Sequence, residues 1–157
     1  MRPLFLLFLL FTACTSFNEE QAREEILRLH HLQRDYHVEK KAEPFAAMMS
    51  DQMISVNGGA INRPTYEENI NRFSGYFHAV SFQKWDDLSE PTIRFSDDGS
   101  LAYTIVHKEV VLDTPNEEGD TITERVEYAW LAVYRKTVDG WTIESVASTN
   151  KPVEVLE

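Results

Sequence analysis

The chain has 157 residues, 43% of them hydrophobic, and a formal net charge of −11 at neutral pH. Such acidity excludes nucleic acid and anionic lipid surfaces as favoured partners, and no Lys/Arg cluster offsets it. The length suits one domain with a real core, and no internal repeat or low-complexity tract divides it.

Residues Pro3 to Ala13 are almost wholly apolar, and Arg2 is the only charge ahead of Glu19. A short positive start before an apolar run of this size predicts a signal peptide over residues 1–13, too short to span a bilayer as a mature helix. Cys14 is the sole cysteine, so it has no internal disulfide partner. With Phe11, Thr12 and Ala13 before it, the site resembles the lipobox of bacterial lipoproteins, Phe11 standing where that pattern usually has Leu. The resemblance implies cleavage ahead of Cys14, acylation of that residue, and a domain held at the bacterial cell envelope. Each acyl CH₂ buried in lipid contributes about 0.8 kcal/mol, so two or three chains anchor firmly. Thr15 follows in place of the Asp that marks inner-membrane retention in many such proteins, which favours the outer membrane. The plainer alternative is an ordinary secretory signal with an incidental cysteine.

Residues 14–20 read as a lipidated tether, residues 21–152 as the folded domain and residues 153–157 as a C-terminal tail. From about Glu19 to Lys41 the pattern is helical, with Ala22, Ile26, Leu29, Leu32 and Tyr36 on one stripe. Pro44 opens a second short helix, "PFAAMMSD", and "MISV" over 53–56 is a brief strand closed by the turn Asn57-Gly58-Gly59. The segment "RPTYEENINRFSGYF" predicts a third helix, with Thr65 and Glu68 at capping-box spacing and Ile70, Phe73 and Phe77 on its buried side. From Val80 the period changes to two. Long strands are predicted over 80–95, 100–113, 120–136 and 140–150, joined by Gly-containing hairpin turns. Helices followed by an antiparallel meander make an α+β plan.

That order resembles the nuclear transport factor two superfamily, which includes ketosteroid isomerase and the SnoaL-like cyclases. The stretches "AEPFAAMMSDQMISVNGG", "RPTYEENINRF", "SLAYTIV" and "WLAVYRKTVDGWTIESVAST" carry the likeness. It implies a cone-shaped fold, three N-terminal helices packed on a strongly curved, mainly antiparallel sheet around a cavity open at one end. It also implies where isomerase chemistry would sit. The base position falls on Asn57, the tyrosine position on Gln33 and the acid position near Ala132. Asn57 offers no titratable base, so the isomerase machinery is missing.

The same likeness sets inward-facing residues on two strands: Leu101, Tyr103, Ile105 and His107 on one, Val126, Tyr128, Trp130 and Ala132 on the other. The expected ligand-binding set is Gln33, Tyr36, Asn57, Tyr103, His107, Tyr128 and Trp130, an apolar wall with polar tips. His107 with Glu109 at i+2 is the one weak acid/base pair on offer. His30, His31 and His37 lack the spacing of metal ligands and read as surface histidines, so no metal or other cofactor is expected. The leading expectation is an envelope-anchored domain that binds a small apolar molecule in its cavity. Alternatives are a lyase, isomerase or cyclase using His107 and Glu109, and a non-catalytic interaction domain that pairs as a homodimer.

Overall fold

The computed structural model describes residues 17–156. The expected signal peptide (1–13), the lipidation site Cys14 and the first part of the tether lie outside the described residues. Within them, three helices and eight strands run in the order α1 (Glu19–Val38), α2 (Ala42–Ala46), β1 (Met49–Asn57), β2 (Ala60–Asn62), α3 (Tyr66–Ala79), β3 (Ser81–Asp87), β4 (Thr92–Phe95), β5 (Leu101–Pro115), β6 (Thr121–Thr137), β7 (Gly140–Asn150) and β8 (Glu154–Leu156).

Helix α1 starts where Asn18 accepts a hydrogen bond from the Gln21 amide at 3.2 Å, with Glu19 and Glu20 complementing the helix dipole. Its buried stripe is Ala22, Ile26, His30, Gln33 and His37. This is a correction to the expected stripe. Leu29, Leu32 and Tyr36 lie half-buried along its flank, packed against the edge of the core. On that side His30 meets Asp87 and Gln33 meets Tyr134, while His37 packs among aromatic rings with its Nδ1 on the Gln33 carbonyl of its own helix. The capping box of α3 forms as its spacing predicts: Thr65 Oγ1 accepts from the Glu68 amide, and the Glu68 carboxylate accepts from the Thr65 amide at 2.7 Å.

Strands β1 and β2 make a hairpin across Gly58 (φ 57°) and Gly59 (φ 78°), the two positive dihedrals a tight hairpin turn requires. The expected strand over 80–95 is broken at Leu88 to Pro91 into β3 and β4. Both pair antiparallel with β5, β3 with its second half and β4 with its first. Proline lacks the N–H that would carry the ladder through the break. The segment expected as a C-terminal tail instead adds β8 to β6, Thr123 opposite Leu156.

The sheet order is β2-β1-β7-β6-β5-β3, with β1 parallel to β7 and the other pairs antiparallel. Register shifts in β1, β3 and β7 bend the strands, as bulges do. The bent sheet wraps the helices into a cone. Ile26, Phe45, Met53, Phe77, Ile93, Tyr134 and Ile143 form the main core between helices and sheet, and Val80, Trp85, Val110 and Leu112 form a second cluster. Burying one such side chain contributes roughly 1.5–3 kcal/mol. At the start of the described chain, Phe17 packs against Phe95 with ring centres 5.4 Å apart and covers Gly99. No described helix is long and apolar enough to cross a membrane.

Candidate functional site

A cavity of about 460 Å³ opens between the helices and the concave face of the sheet. Strand alternation builds one wall. On β1, Met49, Met53, Ser55 and Asn57 all face inward at even spacing, and on β6 so do Tyr128 and Trp130. On β7 the parity breaks. Glu144 is the extra residue where Val133 pairs with Ser145 and Tyr134 with Ile143, so Ile143, Val146 and Ser148 all reach the cavity. The other wall comes from helical i, i+4 pairs, Gln33 with His37 on α1 and Arg72 with Tyr76 on α3, together with Phe45 and Trp85.

His37 is the most constrained polar group here. It is 8% exposed and lies among four aromatic rings, stacked on Trp85 at 4.4 Å and edge-on to Phe45, Phe77 and Phe82. Its Nδ1 lies 2.6 Å from the Gln33 carbonyl. A carbonyl only accepts, so Nδ1 carries the proton and Nε2 keeps the lone pair. Desolvation pulls its pKa down to about 4, against the smaller upward effect of that hydrogen bond. At neutral pH it is an uncharged acceptor. Gln33 donates to the Tyr134 hydroxyl at 3.1 Å, both residues buried. Burial also pushes the Tyr76 and Tyr128 phenols up, so both remain neutral donors.

Behind Trp85 runs a buried polar chain. His30 Nε2 lies 2.8 Å from one Asp87 oxygen, and Lys108 Nζ lies 2.7 Å from the other and 4.0 Å from the centre of the Trp85 ring. His30 and Lys108 are each 1% exposed. Desolvation lowers both pKa values, against the pull of the carboxylate. Burial raises the Asp87 carboxyl, but its bonds to Lys108 and His30 outweigh that and hold it below its ordinary value. None of the three lines the cavity; they fix the wall that does.

Of the residues expected from the sequence, Gln33, Asn57, Tyr128 and Trp130 come together on this cavity. Tyr36 does not, because the rotation of α1 turns it onto the helix flank. Tyr103 and His107 are corrected outright. On β5 the buried positions are Ala102, Thr104, Val106, Lys108, Val110 and Leu112, so the opposite parity faces outward. Tyr103 is 40% exposed, and the His107 ring lies 3.3 Å from Glu127 on the outer surface. Glu109 pairs with Lys84 and lies 3.9 Å from Arg125 on that same face. The pair His107 and Glu109 therefore neither meets nor reaches the cavity. His30 and His37 are buried where surface histidines were expected; only His31 is exposed. Among the described residues no group of three or more His, Cys, Asp or Glu is arranged to hold a metal ion. Sequence reasoning missed His37, Arg72, Tyr76 and Trp85. The i, i+4 spacings were a usable signal for the first three, and the alternation of "SFQKWDD" for the last.

No protein-family model matches the sequence, and no curated protein is similar to it. Solved structures are similar in fold. A type 2 hexachlorocyclohexane dehydrochlorinase (LinA) superposes with TM-score 0.68 at 12% identity, over 88% of this chain and 91% of that one. A ketosteroid isomerase-like protein from Erwinia carotovora atroseptica gives 0.66 at 16%, over 87% and 100%. An NTF2-like protein from Cytophaga hutchinsonii gives 0.62 at 17%, over 86% and 100%. Identities this low establish a shared cone fold and leave activity to the site itself.

Proposed function

We propose that this chain is a small-molecule binding module, its aromatic cavity holding an apolar ligand and its N-terminus held at the bacterial cell envelope through Cys14. The observation that carries the reading is the chemistry of the lining. Its titratable groups are His37, with a pKa near 4, two tyrosines raised by burial, and Arg72. Proton transfer at neutral pH works best through a group that titrates near 7, and none of these does. Aromatic and aliphatic walls with a few polar tips suit recognition instead.

Anchoring at Cys14 is supported by the apolar run before it and by Phe17, which seats the described chain on Gly99 and Phe95 only three residues later. Tyr128 lies well along β6 from the Arg135–Leu101 pair beside Gly99. This supports a cavity that opens away from the anchored end, with ligand taken from the aqueous side of the envelope.

The test is mass spectrometry of small molecules that co-purify with the protein, compared with Trp130→Ala. Loss of the bound species in the variant is expected; equal recovery from both refutes the pocket. A Cys14→Ala chain that still labels with an acyl donor and partitions with membranes refutes the anchor.

Ile105 (49% exposed) stands directly opposite Leu131 (39% exposed) on the convex face, beside Tyr103. An apolar strip at the middle of a sheet suits contact with a second copy of this chain. Light scattering that shows a dimer, dissociated by Ile105→Glu, is the expected outcome for this reading; a monomer at all concentrations refutes it.

A further inference from the structure

Resting on the cavity reading above, we propose that the ligand is an organic anion, an apolar body with a carboxylate head, and that Arg72 is its counter-ion. The lining carries one permanent charge, the Arg72 guanidinium, and no Asp or Glu. His37 adds none at neutral pH. A chain with a formal charge of −11 thus presents a cation and no acid in the lining of its cavity.

The cation is built in place. Its Nη2 donates to Asn69 Oδ1 at 3.0 Å; Asn69 is 1% exposed, while Arg72 itself stays exposed to solvent. Its Cζ lies 4.6 Å from the centre of the Phe73 ring, another lining residue. Desolvation lowers the guanidinium from its usual value, yet arginine keeps its proton at any physiological pH. Among the described residues Arg72 makes no ion pair.

The absence of a partner has a local cause. One turn earlier on α3 stands Glu68, the position from which a carboxylate ordinarily neutralises an arginine at i+4. Here the Glu68 Oε2 oxygen is committed to the capping box, accepting from the Thr65 amide at 2.7 Å and the Thr65 hydroxyl at 3.0 Å. Glu124 acts on Tyr76 and Tyr128 through its charge but does not line the cavity. The fork of Arg72 matches a carboxylate in geometry as well as charge. The neutral phenols of Tyr76 and Tyr128 and the amide of Asn57 line the same cavity as donors, while Met49, Met53, Trp85 and Trp130 take the apolar body.

Equilibrium dialysis of the purified protein against three probes with one tail and different heads tests this: octanoate, 1-octanol and octylammonium. The expected order is octanoate, then octanol, then octylammonium, with octanoate ahead of octanol by roughly ten- to a hundredfold. In Arg72→Gln octanoate is retained no better than octanol, with circular dichroism confirming an intact fold. Equal retention of octanoate and octanol overturns the anion class while leaving the cavity reading standing. Retention of none of the three overturns both. An octanoate advantage that survives in Arg72→Gln overturns the role of that residue.

Discussion

Lys108 and Asp87 face each other directly across the β5–β3 ladder, Nζ to Oδ1 2.7 Å, with the lysine 1% exposed. A lysine so deeply buried is tolerated only with its charge compensated. Asp87 also binds His30 on α1, so one carboxylate ties the first helix to the sheet. Removing the acid leaves a buried ammonium alone, whereas removing the lysine leaves Asp87 one-quarter exposed and still bonded to His30. Asp87→Ala is therefore expected to cost about 3 kcal/mol or more, and Lys108→Met much less. Urea unfolding of the two variants checks the order; an equal or inverted loss refutes the account.

Stability also depends on pH through His37. Its folded pKa near 4 lies below the ordinary 6.5. Between those values the unfolded chain binds a proton that the folded chain refuses, so stability rises with pH across the window. The contribution is complete above 6.5 and lost as pH falls toward 4. The slope is about 1.4 kcal/mol per pH unit for this one group. His30, also lowered by burial, adds in the same direction. Asp87 acts further down, its contribution present above 3.8 and lost below the depressed folded value. The urea midpoint is expected to fall between pH 7.5 and pH 5, and to fall less in His37→Phe. A flat midpoint across that range sinks this explanation.

The outline of the cone was legible in the sequence because its signals are local: the Thr65–Glu68 box, the Asn57-Gly58-Gly59 turn, the alternation in β5 to β7. What was not legible is which parity faces inward. On β5 both faces carry apolar residues, since Tyr103 and Ile105 decorate the convex side while Ala102 and Thr104 are small enough for close packing on the other. A lysine at 108 argues locally for an outward face. Only its partner on β3, distant in sequence, makes the inward position tolerable. The same holds for α1, where His30 and His37 look like surface residues until Asp87 and the aromatic cage are known. Charges and imidazoles satisfied across long sequence separations are invisible to periodicity.

Gly99 has φ +67°, and a Cβ there would fall 2.1 Å from a Phe17 ring carbon. Gly99→Ala faces both a strained backbone and a steric clash. The cheaper relief is for Phe17 to leave Phe95, since it precedes the first helix cap and is 37% exposed. Hydrogen exchange at the first turn of α1 is expected to quicken while the rest of the sheet is unchanged. Unaltered exchange around Asn18 and Gln21 refutes the seating of Phe17.

The capping box also gives a way to reach Arg72 without touching it. Thr65 has φ −67°, the dihedral that proline imposes, so Thr65→Pro keeps this angle while removing both the amide and the hydroxyl that hold Glu68. The lost cap is expected to cost about 1 kcal/mol of stability. Released, Glu68 stands four residues before Arg72 and competes with a bound carboxylate for the guanidinium. Exposed pairs at this spacing are weak, so octanoate retention should fall only about twofold, with octanol unaffected. Adding Glu68→Gln to the variant removes the competitor and should restore octanoate retention while leaving the cap broken. If octanol falls as well, the proline has distorted the cavity wall. If octanoate stays weak after Glu68→Gln, the capping box does not keep this acid from Arg72.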